Sequence, residues 1–239
     1  LIADSSALPE QLVKDAMSGA FGSAGQRCSA TRILFVQEDV ADRTLKLLAG
    51  AMDEWVVGDP GMFATDIGPV IDEDARKILN DHIERMRTDG KLIKAMKLTE
   101  AHANGCFVAP HAFEIDSLKR LPREVFGPVL HVIRYKAKDL DSIIDQINAT
   151  GYGLTLGIHS RIDSTIEHIQ QRIRAGNCYV NRNMIGAVVG VQPFGGEGLS
   201  GTGPKAGGPH YLHRFTTERT LTINTSAVGG NATLLAQAV

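Results

Sequence analysis

Apolar positions along the chain alternate between a helical repeat and short unbroken runs, and each switch marks an element. Leu8, Leu12, Val13, Ala16, Met17 and Ala20 recur at helical spacing, with Pro9 in the first turn, where its missing N–H costs nothing. Ser5 and Ser6 precede this helix as candidate caps, and Gly22 and Gly25 end it. Thr31 to Gln37 (TRILFVQ) is β-branched and apolar, the mark of a buried strand. Val40 to Trp55 predicts an amphipathic helix with Leu45, Leu48, Met52 and Trp55 on one side. Asp72 to Thr88 predicts another, in which Ile78, Leu79, His82, Ile83 and Met86 share a face. Strands are expected at Leu1 to Asp4, Lys91 to Lys97, Phe107 to Ile115, Val129 to Tyr135, Leu154 to Ser160 and Cys178 to Asn181. Helices are expected at Leu140 to Ala149 and Ser164 to Ala175.

Strands and helices in this alternation imply βαβ units: an α/β fold with a mainly parallel sheet and helices on both faces. Ligands in such sheets are expected at the carboxyl ends of the strands. After Asn181 the pattern changes. Glycine and proline dominate as far as Pro209, and Arg214 to Ser226 then alternates as a polar strand. A lone strand is not stable in water, so this tail is expected to lie on another domain or subunit. The chain thus divides into a domain at residues 1–195 and a glycine-rich crossover with a tail at residues 196–239. Because the first residue is Leu1 and the opening reads as the end of a strand, the chain is expected to be a piece of a longer protein.

Composition narrows the function by exclusion. The 239 residues are 43% hydrophobic and 22% charged, ordinary for a globular chain with a core. A net charge of -2, with no run of Lys or Arg beyond two, speaks against a nucleic-acid partner. No apolar stretch approaches a bilayer span. Cys28, Cys106 and Cys178 are far apart, which argues against a disulfide framework and fits a reducing, cytoplasmic setting. The only close histidine pair is His210 and His213, and no metal site is expected.

The candidate chemistry centres on Phe21 to Ala30 (FGSAGQRCSA), which sets one thiol at the end of a helical pattern and the start of a strand. Cys28 there suits a nucleophilic thiolate, supported by a nearby cation and backbone N–H groups. It equally suits a small buried apolar residue, and local composition does not separate the two. In Leu121 to Pro128 (LPREVFGP), Glu124 and Phe126 project the same way if the backbone is extended. A carboxylate there could accept from a ribose diol and an aromatic face could pack on a nicotinamide ring; a surface glutamate beside a core phenylalanine is the plainer account. Gly196 to Gly201 matches G-x-G-x-x-G, but the glycines and prolines that follow allow no helix to receive a pyrophosphate, so a dinucleotide fingerprint is rejected.

Taken in order, G-Q-R-C-S at Gly25 to Ser29, E-V-F-G-P at Glu124 to Pro128 and P-F-G-G at Pro193 to Gly196 resemble the aldehyde dehydrogenase superfamily along the whole chain. The run Asn181 to Gly190 is similar to the glutamate-semialdehyde (1-pyrroline-5-carboxylate) dehydrogenase branch. With Gly201 to Pro209, it most resembles the C-terminal module of bacterial bifunctional proline utilization A.

The resemblance implies that Cys28 attacks an aldehyde and that NAD takes up hydride. It implies that Glu124 and Phe126 contact the cofactor, while Arg27, Ser29, Gly186, Ala187 and Phe194 hold the substrate, L-glutamate semialdehyde. It also implies a homodimer formed through the C-terminal strand. FAD would belong only to a separate proline dehydrogenase module. The family's general-base glutamate, its oxyanion-hole asparagine and its NAD-binding domain precede the cysteine and are absent here, so the isolated chain is expected to be inactive. A cysteine hydrolase or thioesterase, and a dimerisation module, are the competing readings.

Overall fold

In the computed structural model, which describes residues 1–224 and 236–237, a parallel sheet forms around the shortest strand. That strand, β1 (Ile2–Ala3), pairs in parallel on one side with β2 (Ile33–Gln37) and on the other with Thr155–His159. β2 pairs in parallel with Val129–Tyr135, whose residues are buried at all but one position. Burial on both faces explains why both strands read as largely apolar runs, not as an apolar–polar alternation. With β3 (Lys91–Ala95), β4 (His111–Glu114), β5 (Val129–Tyr135), β7 (Thr155–His159) and β8 (Asn177–Val180), the order is β3-β4-β5-β2-β1-β7-β8. Only the β3–β4 pair at the edge is antiparallel. Two further short strands, β6 (Tyr152–Gly153) and β9 (Glu197–Gly198), form an antiparallel ribbon outside this sheet.

From β1 the chain passes through α1 (Pro9–Phe21) to β2 on one side; from β7 it passes through α5 (Asp163–Arg172) to β8 on the other. Right-handed crossovers place α1 and α5 on opposite faces of the sheet. Helix α2 (Glu38–Asp53) packs beside α1, and α3 (Glu73–Asp89) and α4 (Leu140–Ala149) complete the helices.

Most predicted elements occur within two or three residues of their expected bounds, and the differences have physical causes. The N-cap of α1 is Leu8, without a side-chain cap. Ser6 is spent elsewhere: its N–H and Oγ both donate to Asp4 Oδ1, at 2.8 and 2.6 Å, while Ser160 Oγ donates to Asp4 Oδ2 at 2.5 Å. These bonds tie the carboxyl ends of β1 and β7 together. Ile78 is 50% exposed, not part of the buried stripe of Leu79, His82, Ile83 and Met86. It lies about 100° around the helix from Leu79, at the edge of that stripe. Strand β4 begins only at His111, after Pro110, which has no N–H to give a ladder.

The glycine-rich segment starts no helix at Gly196–Gly201. Instead it supplies β9, and Ser200 Oγ accepts from the Gly153 N–H at 3.0 Å. Of the expected tail strand, Leu212–Phe215 is a short 3₁₀ turn, and residues 216–223 are exposed and belong to no strand among the described residues. Residues 225 and 226 lie outside the described ones. No helix among the described residues is long and apolar enough to cross a membrane.

Candidate active site

The segment that carries Cys28 begins where α1 reverses its hand. Ser23, Ala24 and Gly25 take φ of 55°, 52° and 67°. Left-handed backbone costs a non-glycine residue roughly 1–2 kcal/mol, so the surroundings must hold Ser23 and Ala24 there. Ala24 is buried, and Ser23 Oγ accepts from Arg27 Nε at 2.9 Å. Gly25 has no substitute: a Cβ would sit 2.1 Å from the carbonyl oxygen of Gly127. This close approach presses the cysteine segment against the loop that leads into β5.

Two side chains then lock the segment. Gln26 Nε2 donates to the carbonyl of Pro69 at 3.4 Å, and its Oε1 accepts from the Ile71 N–H at 2.8 Å. Arg32, at the start of β2, does more. Its Nε donates to Glu124 Oε1 at 2.9 Å, Nη1 to the Gly25 carbonyl at 2.5 Å and Nη2 to the Arg27 carbonyl at 3.0 Å. The guanidinium also lies 4.5 Å from the centre of the Phe126 ring. Burial pulls the Arg32 pKa below its ordinary value, and the charge of Glu124 opposes that shift. An arginine stays charged regardless, so the side chain, 16% exposed, is a half-sheltered cation within electrostatic reach of Cys28.

Cys28, Arg32, Glu124 and Phe126 line one cleft of about 510 Å³, with Leu1, Ile33, Thr155 and Ala175 at its base. Those four lie at or beside the amino ends of β1, β2, β7 and β8. The expectation of a site at the carboxyl ends is therefore corrected: the cysteine and glutamate loops enter strands, so their side chains gather where strands start. Cys28 is exposed, and its N–H has no acceptor among the described residues.

Below them, His131 reaches the same cleft from β5. Its Nδ1 is 3.1 Å from the Arg32 carbonyl oxygen and its Nε2 is 2.8 Å from His82 Nε2, while His82 Nδ1 is 3.1 Å from Arg85 Nη2. The partners dictate the tautomers. Arg85 can only donate, so His82 accepts at Nδ1 and donates from Nε2; His131 accepts at Nε2 and donates from Nδ1 to the carbonyl. Both rings are neutral in this chain of bonds. Burial pushes His82 down to about 4, with Arg85 and Arg123 adding repulsion. Burial, with repulsion from His82 next, pushes His131 down to about 3.

Residues 1–221 match the aldehyde dehydrogenase family. The chain belongs to that family. It is 57% identical over 224 residues to the bifunctional protein PutA of Klebsiella aerogenes, covering 92% of the chain and 17% of that protein. A crystal structure of a bifunctional proline utilization A (PutA) protein superposes with a TM-score of 0.90 at 61% identity, over 95% of the chain and 23% of the other. A 1-pyrroline-5-carboxylate dehydrogenase from Thermus with bound NAD superposes with a TM-score of 0.82 at 35% identity, over 90% of the chain and 41% of the other. The chain therefore spans about a sixth of its PutA relative and two fifths of that dehydrogenase.

Of the aldehyde dehydrogenase residues singled out from the sequence, the structure gathers Cys28, Glu124 and Phe126 in one cleft. It does not bring the others there. Ser29 is buried, Arg27 is exposed and turned to Ser23, Gly186 and Ala187 sit in the loop after β8, and Phe194 lines a second cavity with Tyr211 and Arg214. Sequence reasoning missed Arg32 and His131. The available signal was a charge opening an otherwise apolar strand (Arg32 in TRILFVQ) and an imidazole inside another (His131 in VLHVIRY). Among the described residues no cluster of His, Cys, Asp and Glu could hold a metal ion.

Proposed function

We propose that this chain forms the cysteine-bearing half of the active site of an NAD-dependent aldehyde dehydrogenase that oxidises L-glutamate semialdehyde to glutamate in proline catabolism. The observation that carries this reading is the exposed Cys28 thiol sharing a cleft with Glu124 and Phe126. The PutA and 1-pyrroline-5-carboxylate dehydrogenase relatives support the substrate, and the bound NAD in one of them supports the cofactor.

The residues fit a nicotinamide riboside. Glu124 Oε1 is engaged by Arg32, while Oε2 has no partner among the described residues and can accept from a ribose hydroxyl. The Phe126 ring, 46% exposed, offers a face or edge to a planar ring. When bound there, NAD supplies a hydride acceptor.

In the proposed reaction the Cys28 thiolate adds to the aldehyde carbon, forming a C–S bond and an alkoxide. The unengaged Cys28 N–H donates to that alkoxide. Loss of hydride leaves a thioester on Sγ, and water then cleaves the C–S bond, releasing the acid and restoring the thiolate. Among the described residues, the cleft offers no free base for the water. Glu124 is paired with Arg32, and both nitrogens of His131 are engaged. None of the described cleft residues is therefore assigned as the base, and the chain by itself is expected not to turn over. The same engagement of His131 weighs against a cysteine hydrolase, which needs a free imidazole beside the thiol.

All three cysteines are free, in keeping with a cytoplasmic enzyme. The test is Cys28→Ser in the enzyme as its gene encodes it. An alcohol is far less acidic than a thiol, so glutamate-semialdehyde oxidation should fall by about a thousandfold or more; retained activity would remove Cys28 from the mechanism.

A further inference from the structure

We propose that Arg32 is a positioning residue that sets the Glu124 carboxylate and the Cys28 segment in one frame, a role that rests on the functional reading above. No other side chain among the described residues bonds to both loops. Its planar fork reaches Glu124 Oε1 with Nε and the carbonyls of Gly25 and Arg27 with Nη1 and Nη2, while its face covers Phe126. Each bond has a separate consequence. The Nε bond takes one carboxylate oxygen and turns the other outward for a ribose hydroxyl. The two Nη bonds hold the carbonyls on either side of Gln26 and so fix the path of the chain into Cys28. A point charge on a flexible stem could replace the first but not the second pair, because only a guanidinium presents several donors in a fixed plane.

Arg32 is itself held. Its carbonyl accepts from the His131 N–H at 3.1 Å and from His131 Nδ1 at 3.1 Å, so main chain and side chain are both tied on the β2–β5 side. The pair Arg32–Glu124 joins positions 92 apart in sequence, across the gap that the Gly25–Gly127 contact closes. Lining the cleft does not require these bonds; holding its two halves in register does.

The experiment uses the enzyme as its gene encodes it, with NAD and glutamate semialdehyde, and compares Arg32→Gln, Arg32→Lys and Glu124→Gln with the double variant R32Q/E124Q. For Arg32→Gln the expected result is a rise in KM for NAD of about tenfold and a fall in kcat, with KM for the aldehyde unchanged. Arg32→Lys, which keeps the buried charge and guards against a simple folding failure, should recover KM for NAD while kcat stays low. In the double variant the second substitution should raise KM for NAD by much less than it does alone. Arg32→Lys matching wild type in both constants, or Arg32→Gln lowering only the melting temperature, would overturn the proposal. So would independent, multiplying effects in the double variant. If Glu124→Gln alone leaves KM for NAD unchanged, the assignment of Glu124 to the cofactor fails, and this proposal fails with it.

Discussion

Cys28 and Arg32 are four positions apart and differ in what burial does to them. The thiol stands in the open at the cleft edge, while the guanidinium is mostly covered and bonded at every nitrogen. The histidine pair beneath them gives a prediction from the direction of its shifts. Unfolded, each imidazole titrates near 6.5; folded, His82 is pushed down to about 4 and His131 to about 3. Between pH 6.5 and about 4 the unfolded chain therefore binds protons that the folded chain refuses. Stability rises with pH through that window and is complete above it. The melting temperature should fall on going from pH 7 to pH 5, and replacing both His82 and His131 with leucine should make that fall shallower, as followed by calorimetry; buried His111 and His159, also held below the usual imidazole range, carry the rest. An equally steep fall in the double variant would place the acid sensitivity elsewhere. At this scale the residues themselves left Cys28, Glu124 and Phe126 open; the order of their short motifs, through the resemblance it carries, singled them out, and the structure places all three in one cleft. Arg32 was not singled out, since an arginine at a strand's start ordinarily reaches solvent, and its partners lie in distant segments.

At the level of elements, the connection from α1 to β2 carries the most consequence. Periodicity located the helix and the strand, and the glycines marked the break between them. The left-handed turn at Ser23 and Ala24 carries no such mark, because neither residue favours it; tertiary contacts impose it. Gly25→Ala tests the joint directly. The added methyl meets the Gly127 carbonyl at 2.1 Å on a backbone with φ of 67°. The expected cost is on the order of 2 kcal/mol or more, read as a drop in melting temperature, with loss of activity even where the protein remains folded. A variant as stable and active as wild type would show that the two loops do not need this contact. The cap of α1 teaches the same lesson in reverse: Ser6 has the right chemistry for a cap, but its Oγ already donates to Asp4 and accepts from the Arg161 N–H.

The whole molecule shows why the cleft lies where it does. Both candidate loops precede a strand, so a parallel sheet delivers them to its amino edge, and β1 and β2 lie side by side with β5 next in line. Beyond the sheet, residues 216–224 lie exposed, with Leu221 and Ile223 78% and 65% accessible. Exposed apolar side chains at alternating positions suit strand addition to another subunit, the arrangement that the homodimer expected from the sequence would use. Deleting residues 216–224 should halve the mass measured by light scattering while leaving the melting of the sheet domain nearly unchanged; an unchanged mass would end that assignment.

Local order was determined by the sequence alone. The helices and buried strands follow from neighbours within a turn or two of one another, the parallel α/β class from their alternation, and the candidate cysteine, glutamate and phenylalanine from the order of their motifs. Tertiary structure decided which edge of the sheet holds the cleft, that Arg32 joins its halves, and that His131 is neutral and engaged. Those outcomes depend on strand order and on partners far apart along the chain. Periodicity reports which face of an element is buried, but not which other element covers it.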